Sequence, residues 1–229
     1  MTAPLPPSAQ VSPAVRGDAD GALSLIYVDR SLIVVDKPAR LLSVPGRGPD
    51  KQDCLIARIR DEFPDALIVH RLDYDTSGLI VLARGAKKHR ALSLLFQERH
   101  VEKRYVAVVE GRPAENEGEI DLPLIVDWPN RPLHKVDFAQ GKPARTRYRV
   151  IGHDDARCAS RVALTPETGR THQLRVHMLA LGHPILGDPL YAHADARAKA
   201  DRLLLHAERL AFPHPATGRR LVFSSGAPF

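Results

Sequence analysis

His70-Arg71-Leu72-Asp73-Tyr74-Asp75-Thr76-Ser77-Gly78-Leu79-Ile80-Val81-Leu82-Ala83-Arg84 is the stretch on which the fold turns. Leu79 to Ala83 is an unbroken apolar run bounded by Gly78 and Gly85, and such a run reads as a buried strand. Ala66 to Val69, just upstream, is a second short run of the same kind. The residues between the two runs are nearly all polar, charged or small. A loop pinned between buried strands is held rigidly, which suits it to chemistry. Asp73 follows His70 and Arg71 and precedes Asp75. Thr76 and Ser77 can fold back onto backbone amides through their hydroxyls, and Gly78 can take a dihedral closed to other residues. Asp73 either caps a turn through backbone amides or is a reactive carboxylate, with Asp75 as its rival.

Outward from this loop the chain alternates strands and helices. Leu23 to Val28 and Leu32 to Val35 read as strands joined by a turn at Asp29-Arg30. The spacing predicts a helix over Gln52 to Phe63, with Leu55, Ile56, Ile59 and Phe63 on one face. A second is predicted over Ala86 to Glu98, with Ala91, Leu92, Leu95 and Phe96 facing in. Its first turns carry Lys87, Lys88, His89 and Arg90, either a solvated face or a phosphate contact. A strand begins near Tyr105, a residue type common in strands, where packing alone would explain it. Asp121 to Pro132 is Pro-rich and reads as an irregular surface loop.

Further strands are expected at Arg145 to Ile151 and Cys158 to Leu164. Period-2 spacing lines Arg145, Arg147 and Arg149 along one face, either as a solvated edge or as a track for RNA. Thr165 to Ala180 is a turn into a helix, with Thr171 as its expected N-cap. Leu174, Met178 and Leu181 form the apolar stripe, and Arg175 falls at its border, where such side chains usually reach solvent. His172 and His177 are not at the spacing that places two metal ligands on one helix face, so no metal site is expected. Strand-rich stretches on both sides of the helices predict an α+β fold rather than a doubly wound sheet.

Two of these stretches carry a resemblance. His70-Arg71-Leu72-Asp73, then Thr76-Ser77-Gly78 and an apolar strand, resembles the active-site motif of the RluA-family pseudouridine synthases. Thr168-Gly169-Arg170-Thr171-His172-Gln173-Leu174-Arg175-Val176-His177, followed by Gly182-His183-Pro184-Ile185-Leu186-Gly187-Asp188, resembles a second motif of that family. Lys37-Pro38 resembles a third, although a Gly commonly stands where this chain has Arg40. The similarity runs from about residue 23 to the end of the chain.

The resemblance implies a mixed, mostly antiparallel sheet with flanking helices and a central basic cleft. It implies isomerisation of uridine to pseudouridine, with Asp73 as the catalytic carboxylate, Arg175 as its ion-pair partner and Tyr105 in the active site. The loops Leu42 to Arg47, Asp127 to Pro132 and Gly141 to Ala144 are similar to the dual-specificity branch of the family. That implies stem-loops of 23S rRNA and tRNA as partners. Arg71, His70, Thr76, Lys103, Arg104, Arg145, Arg147 and Arg170 are the expected RNA contacts, although His70 reads equally well as a structural histidine.

Breaking the bond from uracil N1 to the ribose and rejoining the base through C5 needs no redox step, metal or cofactor. A carboxylate can attack C1′ or remove a ribose proton, and the residues do not choose between these routes. The target base must leave its stack, which favours loops over duplexes. A catalytically silent RNA-binding module of the same fold is the alternative. A hydrolytic glycosidase would need a second carboxylate in a matching setting, and none recurs. A serine hydrolase would need Gly-x-Ser-x-Gly, which is absent.

Bulk properties agree with this reading. The chain has 229 residues, 33 Lys and Arg against 27 Asp and Glu, and a net charge of +6, a moderate excess of the kind a polyanion partner calls for. Cys54 and Cys158 are isolated, so a reducing cytoplasm is expected. No apolar run approaches a membrane span, and nothing demands a dimer, so a monomer without membrane contact is expected. Residues 1–20 read as a flexible Pro-rich leader and 21–229 as one catalytic domain, with no N-terminal RNA-binding domain.

Overall fold

A computed structural model describes residues 23–229; the expected leader, 1–20, lies outside the described residues. In chain order the elements are β1 (Ser24–Val28), β2 (Leu32–Lys37), α1 (Leu55–Glu62), β3 (Ala66–Ile68), β4 (Ser77–Arg84) and α2 (Ala86–Gln97). There follow β5 (Glu102–Glu110), β6 (Glu117–Asp121), β7 (Leu124–Val126), β8 (His134–Val136), β9 (Arg145–Asp154) and β10 (Ala159–Pro166). The chain closes with α3 (Gln173–Ala180), α4 (Ala194–Ala198), β11 (Leu205–Pro213) and β12 (Arg220–Ser224).

The unbroken apolar runs of β2 and β4 are covered on both sides. Ile33, Val35, Ile80 and Leu82 pack against Leu55, Ile56 and Ile59 of α1. The alternate residues Leu32, Val34, Leu79, Val81 and Ala83 pack against Leu92 of α2 and Leu210 and Phe212 of β11. A strand with core on each face has no polar position to spare, so the alternation expected of a half-buried strand is missing. Each such aliphatic side chain contributes about 1.5–3 kcal/mol on burial.

Ten of the twelve strands form one sheet in the order β1-β2-β4-β11-β5-β10-β9-β6, with β3 on β4 and β12 on β11 as side branches. The mixed, mostly antiparallel α+β architecture is the one expected. Among the strands of the described residues the one parallel pair is β4 with β11, which joins Ser77 to His206 and Gly78 to Ala207. Gly78 is therefore inside β4 and does not bound it. Its φ is +111°, and an added Cβ would lie 2.4 Å from the Ala207 carbonyl oxygen. Only glycine lets the two backbones meet at that separation.

Other boundaries shift from those expected. α1 starts at Leu55, not at Gln52, because Cys54 is extended and forms a bridge with Leu42; a short 3-10 turn at Pro49–Lys51 precedes it. Asp121 to Pro132 is not a plain surface loop. It holds the end of β6, the strand β7 and a 3-10 turn at Trp128–Asn130, and β7 pairs with β8 as a small hairpin. Leu133 and Val136 pack this hairpin onto Val176 of α3 and Tyr191. Among the described residues no helix is long and apolar enough to cross a membrane.

Candidate active site

Residues 69–76 pass from β3 to β4 as an irregular loop, and contacts along its length hold it in place. His70 Nε2 accepts a hydrogen bond from the Val81 backbone N–H at 3.1 Å, and its ring stacks on Phe96. Leu72 is buried, and its carbonyl and N–H both meet the Ser43 hydroxyl, at 2.8 and 3.2 Å. The Lys37 ammonium donates to the carbonyls of Pro38, Leu41 and Tyr74, at 2.8, 2.8 and 3.3 Å. Thr76 donates its N–H to the Asp73 carbonyl at 3.2 Å. The Ser77 hydroxyl was expected to fold back onto the backbone, but it meets His206 Nδ1 at 2.9 Å and accepts from Arg202 at 2.6 Å. Asp73 is thus presented by a loop with little freedom to move, which is what a preorganised carboxylate requires.

Arg175 comes to this loop from α3. The expectation of a solvent-reaching border residue is corrected: Arg175 is only 2% exposed. The α3 helix is buried from Gln173 to Met178, so its border positions face protein as well. Nη1 of Arg175 donates to Asp73 Oδ2 at 3.3 Å. Nε and Nη2 form a two-pronged pair with Asp188 at 2.8 and 2.6 Å. Burial works against the guanidinium charge, but the bonds to Asp188 and Asp73 outweigh it and raise the pKa of Arg175. Gly187 brings Asp188 into place: with φ +70°, its Cα hydrogen faces the Arg202 carbonyl where a Cβ would lie 1.9 Å away.

The start of α3 also differs from expectation. Thr171 is not the N-cap; His172 is, in the left-handed region with φ +55° and with no side-chain cap. The Gln173 side chain does the local bonding instead. Its Oε1 accepts from the Arg170 N–H and the Thr168 hydroxyl, and its Nε2 donates to the Arg145 carbonyl and Thr146 Oγ1. The His172 ring points at the loop, with Nε2 3.9 Å from Asp73 Oδ2.

Around Asp73 opens a cleft of about 1870 Å³. Arg71, Thr76, Lys103, Tyr105, Arg170 and Arg175 all line it, as does His70. Arg71 is exposed. The Arg170 guanidinium donates to the Pro143 carbonyl at 3.1 Å. Burial lowers the Lys103 pKa, and it raises that of Tyr105, to which the Asp73 charge adds. Burial also lowers Lys37 to about 8. The wall carries acids too, among them Asp50, Asp53, Asp75, Glu102 and Glu167.

Arg104, Arg145 and Arg147 do not line the cleft. Arg104 pairs with Glu208 at 2.8 Å on the neighbouring strand β11. Arg145 and Arg147 do share an exposed face of β9, but β9 is not the sheet edge. The edge is β6; its Glu119, together with Glu167, pairs with both arginines, and its Asp121 pairs with Arg145.

Three residues of this site carried no sequence signal of their own. Lys37, Asp188 and Tyr191 each lie inside or beside a motif stretch but have no local pattern that announces a role. Arg40 takes a left-handed backbone of the kind that favours glycine, with φ +60°, and its guanidinium reaches the Asp201 carbonyl.

A carboxylate on a rigid loop at an open cleft, paired to a buried arginine, is equipped for chemistry at a glycosidic carbon. The model of the family described as RNA pseudouridylate synthase matches residues 31–180. The dual-specificity RNA pseudouridine synthase RluA of Yersinia pestis is 52% identical over 205 residues, which cover 90% of this chain and 99% of the relative. The protein of that name from Escherichia coli K12 is 53% identical over 207 residues, 90% of this chain and 94% of the relative. Among solved structures, human RNA pseudouridylate synthase domain containing 1 superposes with a TM-score of 0.76 at 30% identity, over 94% of this chain and 87% of that one. The chain belongs to the RNA pseudouridylate synthase family, and is an isomerase that modifies RNA.

Proposed function

We propose that this protein isomerises uridine to pseudouridine in stem-loops of both 23S rRNA and tRNA, with Asp73 as the catalytic carboxylate. The observation that carries the reading is the contact of Arg175 Nη1 with Asp73 Oδ2 at 3.3 Å, on a loop that opens to the cleft. The two substrates rest on the likeness to RNA pseudouridine synthases whose name includes dual specificity.

Asp75 is the weaker candidate. Burial raises its pKa against the pull of Arg175, so it holds its proton more readily than an ordinary carboxyl. The Asp73 carboxylate works at the ribose, by attack on C1′ or by drawing off a ribose proton. The N1 bond breaks, the base turns, C5 bonds to C1′, and C5 gives up its proton while N1 gains one. Tyr105 packs in the site with its phenol held protonated, so its part is to support the uracil ring and not to act as a strong base. Arg175 holds the Asp73 carboxylate.

Arg71, exposed on the cleft wall, fills the gap left by the flipped uridine or grips the backbone. Lys103 and Arg170 give the cleft its basic side, and phosphates further along the stem meet Arg104, Arg145 and Arg147. His70 and Thr76 contribute by shaping the loop under the RNA. The protein works in the cytoplasm as a monomer, in keeping with its two free cysteines.

The test is pseudouridine mapping by carbodiimide-dependent reverse-transcription stops on unmodified 23S rRNA and total tRNA, with wild type beside Asp73→Asn. New stops in both RNAs that vanish with the variant are expected. Stops in one RNA alone would remove the dual specificity. Stops that persist with Asp73→Asn would remove Asp73 from the chemistry, and RNA binding without stops would leave the silent module.

A further inference from the structure

We infer that His172, locked by Tyr191 as the Nε2–H tautomer, is a second positioning residue for Asp73. The inference rests on the reading of Asp73 as the reactive carboxylate. It begins from a donor and acceptor count at Tyr191, a residue only 9% exposed. The Tyr191 oxygen accepts the His134 backbone N–H at 2.9 Å, and it lies 2.6 Å from His172 Nδ1. No other hydrogen-bond partner of that hydroxyl occurs among the described residues, and no buried side-chain polar atom there is left without one. If Nδ1 carried a proton, the Tyr191 O–H would have no acceptor. The arrangement is satisfied when Tyr191 donates to Nδ1, and a neutral imidazole then bears its proton on Nε2.

Burial pushes the Tyr191 phenol up to about 12, so it keeps the proton it donates. Burial, partly offset by Asp73, pushes His172 down to about 4, so the ring is neutral near pH 7. Its orientation is held on two further sides, by the His134 ring at 5.1 Å and the Tyr191 ring at 5.5 Å between centroids. Tyr191 itself is packed under the Arg175 guanidinium.

The geometry at the carboxylate supplies the role. Arg175 Nη1 and His172 Nε2 both approach Oδ2 of Asp73, at 3.3 and 3.9 Å. Oδ1 has no side-chain partner among the described residues. At 3.9 Å the His172 contact is longer than a hydrogen bond, and a movement of about 1 Å closes it. Once that contact closes, two donors on one oxygen fix the plane of the carboxylate and leave the other oxygen for the ribose. The left-handed backbone of His172 serves the same end, because it turns the ring back over the loop at the first turn of α3.

The test separates a donor from a mere backbone filler. Asn tolerates a left-handed backbone better than Gln, but its amide reaches only as far as Nδ1. Gln places an N–H near the position of Nε2. His172→Gln is therefore expected to keep kcat within about tenfold, and His172→Asn to lose about a hundredfold at similar KM, the scale of a misplaced reacting group. An Asn variant as active as the Gln variant would overturn the inference. The second measurement needs no turnover and is independent of the Asp73 assignment: nitrogen NMR of labelled histidine in the whole protein. The His172 ring is picked out from eleven histidines by its loss in His172→Asn. A proton on Nε2 is expected in wild type, with the single tautomer lost in Tyr191→Phe. A proton on Nδ1 in wild type would overturn the inference.

Discussion

Arg175 gives its two best bonds to Asp188 and only its third to Asp73. The charge facing the Asp73 carboxylate is therefore anchored from behind, by an acid that is fully buried and never meets the cleft. Asp188 is anchored in turn by the backbone N–H groups of Leu190 and Tyr191, at 2.9 and 3.2 Å. The order of strength suits the task. A guanidinium spent wholly on Asp73 would tie up the carboxylate, whereas one held by Asp188 supports it and leaves it accessible.

Removal of Asp188 leaves Arg175 with a buried and half-compensated charge. Asp188→Ala is expected to destabilise the fold by about 3–5 kcal/mol, the range for breaking a buried pair from one side. Asp188→Asn keeps part of the hydrogen bonding and is expected to fall short of that loss. Urea midpoints of the two variants against wild type check the ranking.

Gly78→Ala tests the junction of β4 with β11. Its Cβ would sit 2.4 Å from the Ala207 carbonyl oxygen in a backbone with φ +111°, and neither backbone can yield without opening the parallel pair. A destabilisation of at least about 2 kcal/mol is expected from the clash and the dihedral together. Thermal unfolding measures it, and an unchanged midpoint would mean that the two strands separate freely.

His70 is expected to stay neutral well into acid. Burial pushes its pKa from 6.5 to about 3, and protonated Nε2 could no longer accept the Val81 N–H. The unfolded imidazole takes its proton near pH 6.5 and the folded one near 3, so between these values the unfolded chain binds more protons. The contribution of His70 to stability is thus full above pH 6.5 and is lost as pH falls towards 3. His70→Gln is expected to show a shallower fall in urea midpoint over that interval than wild type.

Arg71 and Arg147 are expected to differ as RNA contacts. Arg71 is exposed on the cleft wall with no ion-pair partner among the described residues, while Arg147 already pairs with Glu119 and Glu167. A phosphate must displace those carboxylates before it gains Arg147. Arg71→Ala is therefore expected to weaken stem-loop binding and lower the salt slope by about one, and Arg147→Ala to change both less. Binding isotherms across a salt series would reveal equal effects if Glu119 and Glu167 were no hindrance.

Local pattern in the sequence was enough for most strands, for the two helices α1 and α2, and for the loop that carries Asp73. Such features repeat over a few residues, and burial of an apolar run leaves a periodic or unbroken trace. The family resemblance placed Asp73, Tyr105 and Arg175 together, and the three do line one cleft. Tertiary structure alone decided how they are held. Asp73 and Arg175 are 102 positions apart, and Gly78 meets Ala207 across the sheet. No local period records which distant groups will touch. The same holds for the burial of Arg175, the turn of His172 into the left-handed region, and the acids that occupy Arg145 and Arg147. Each follows from what neighbouring elements place opposite a side chain, and that is settled only when the sheet closes.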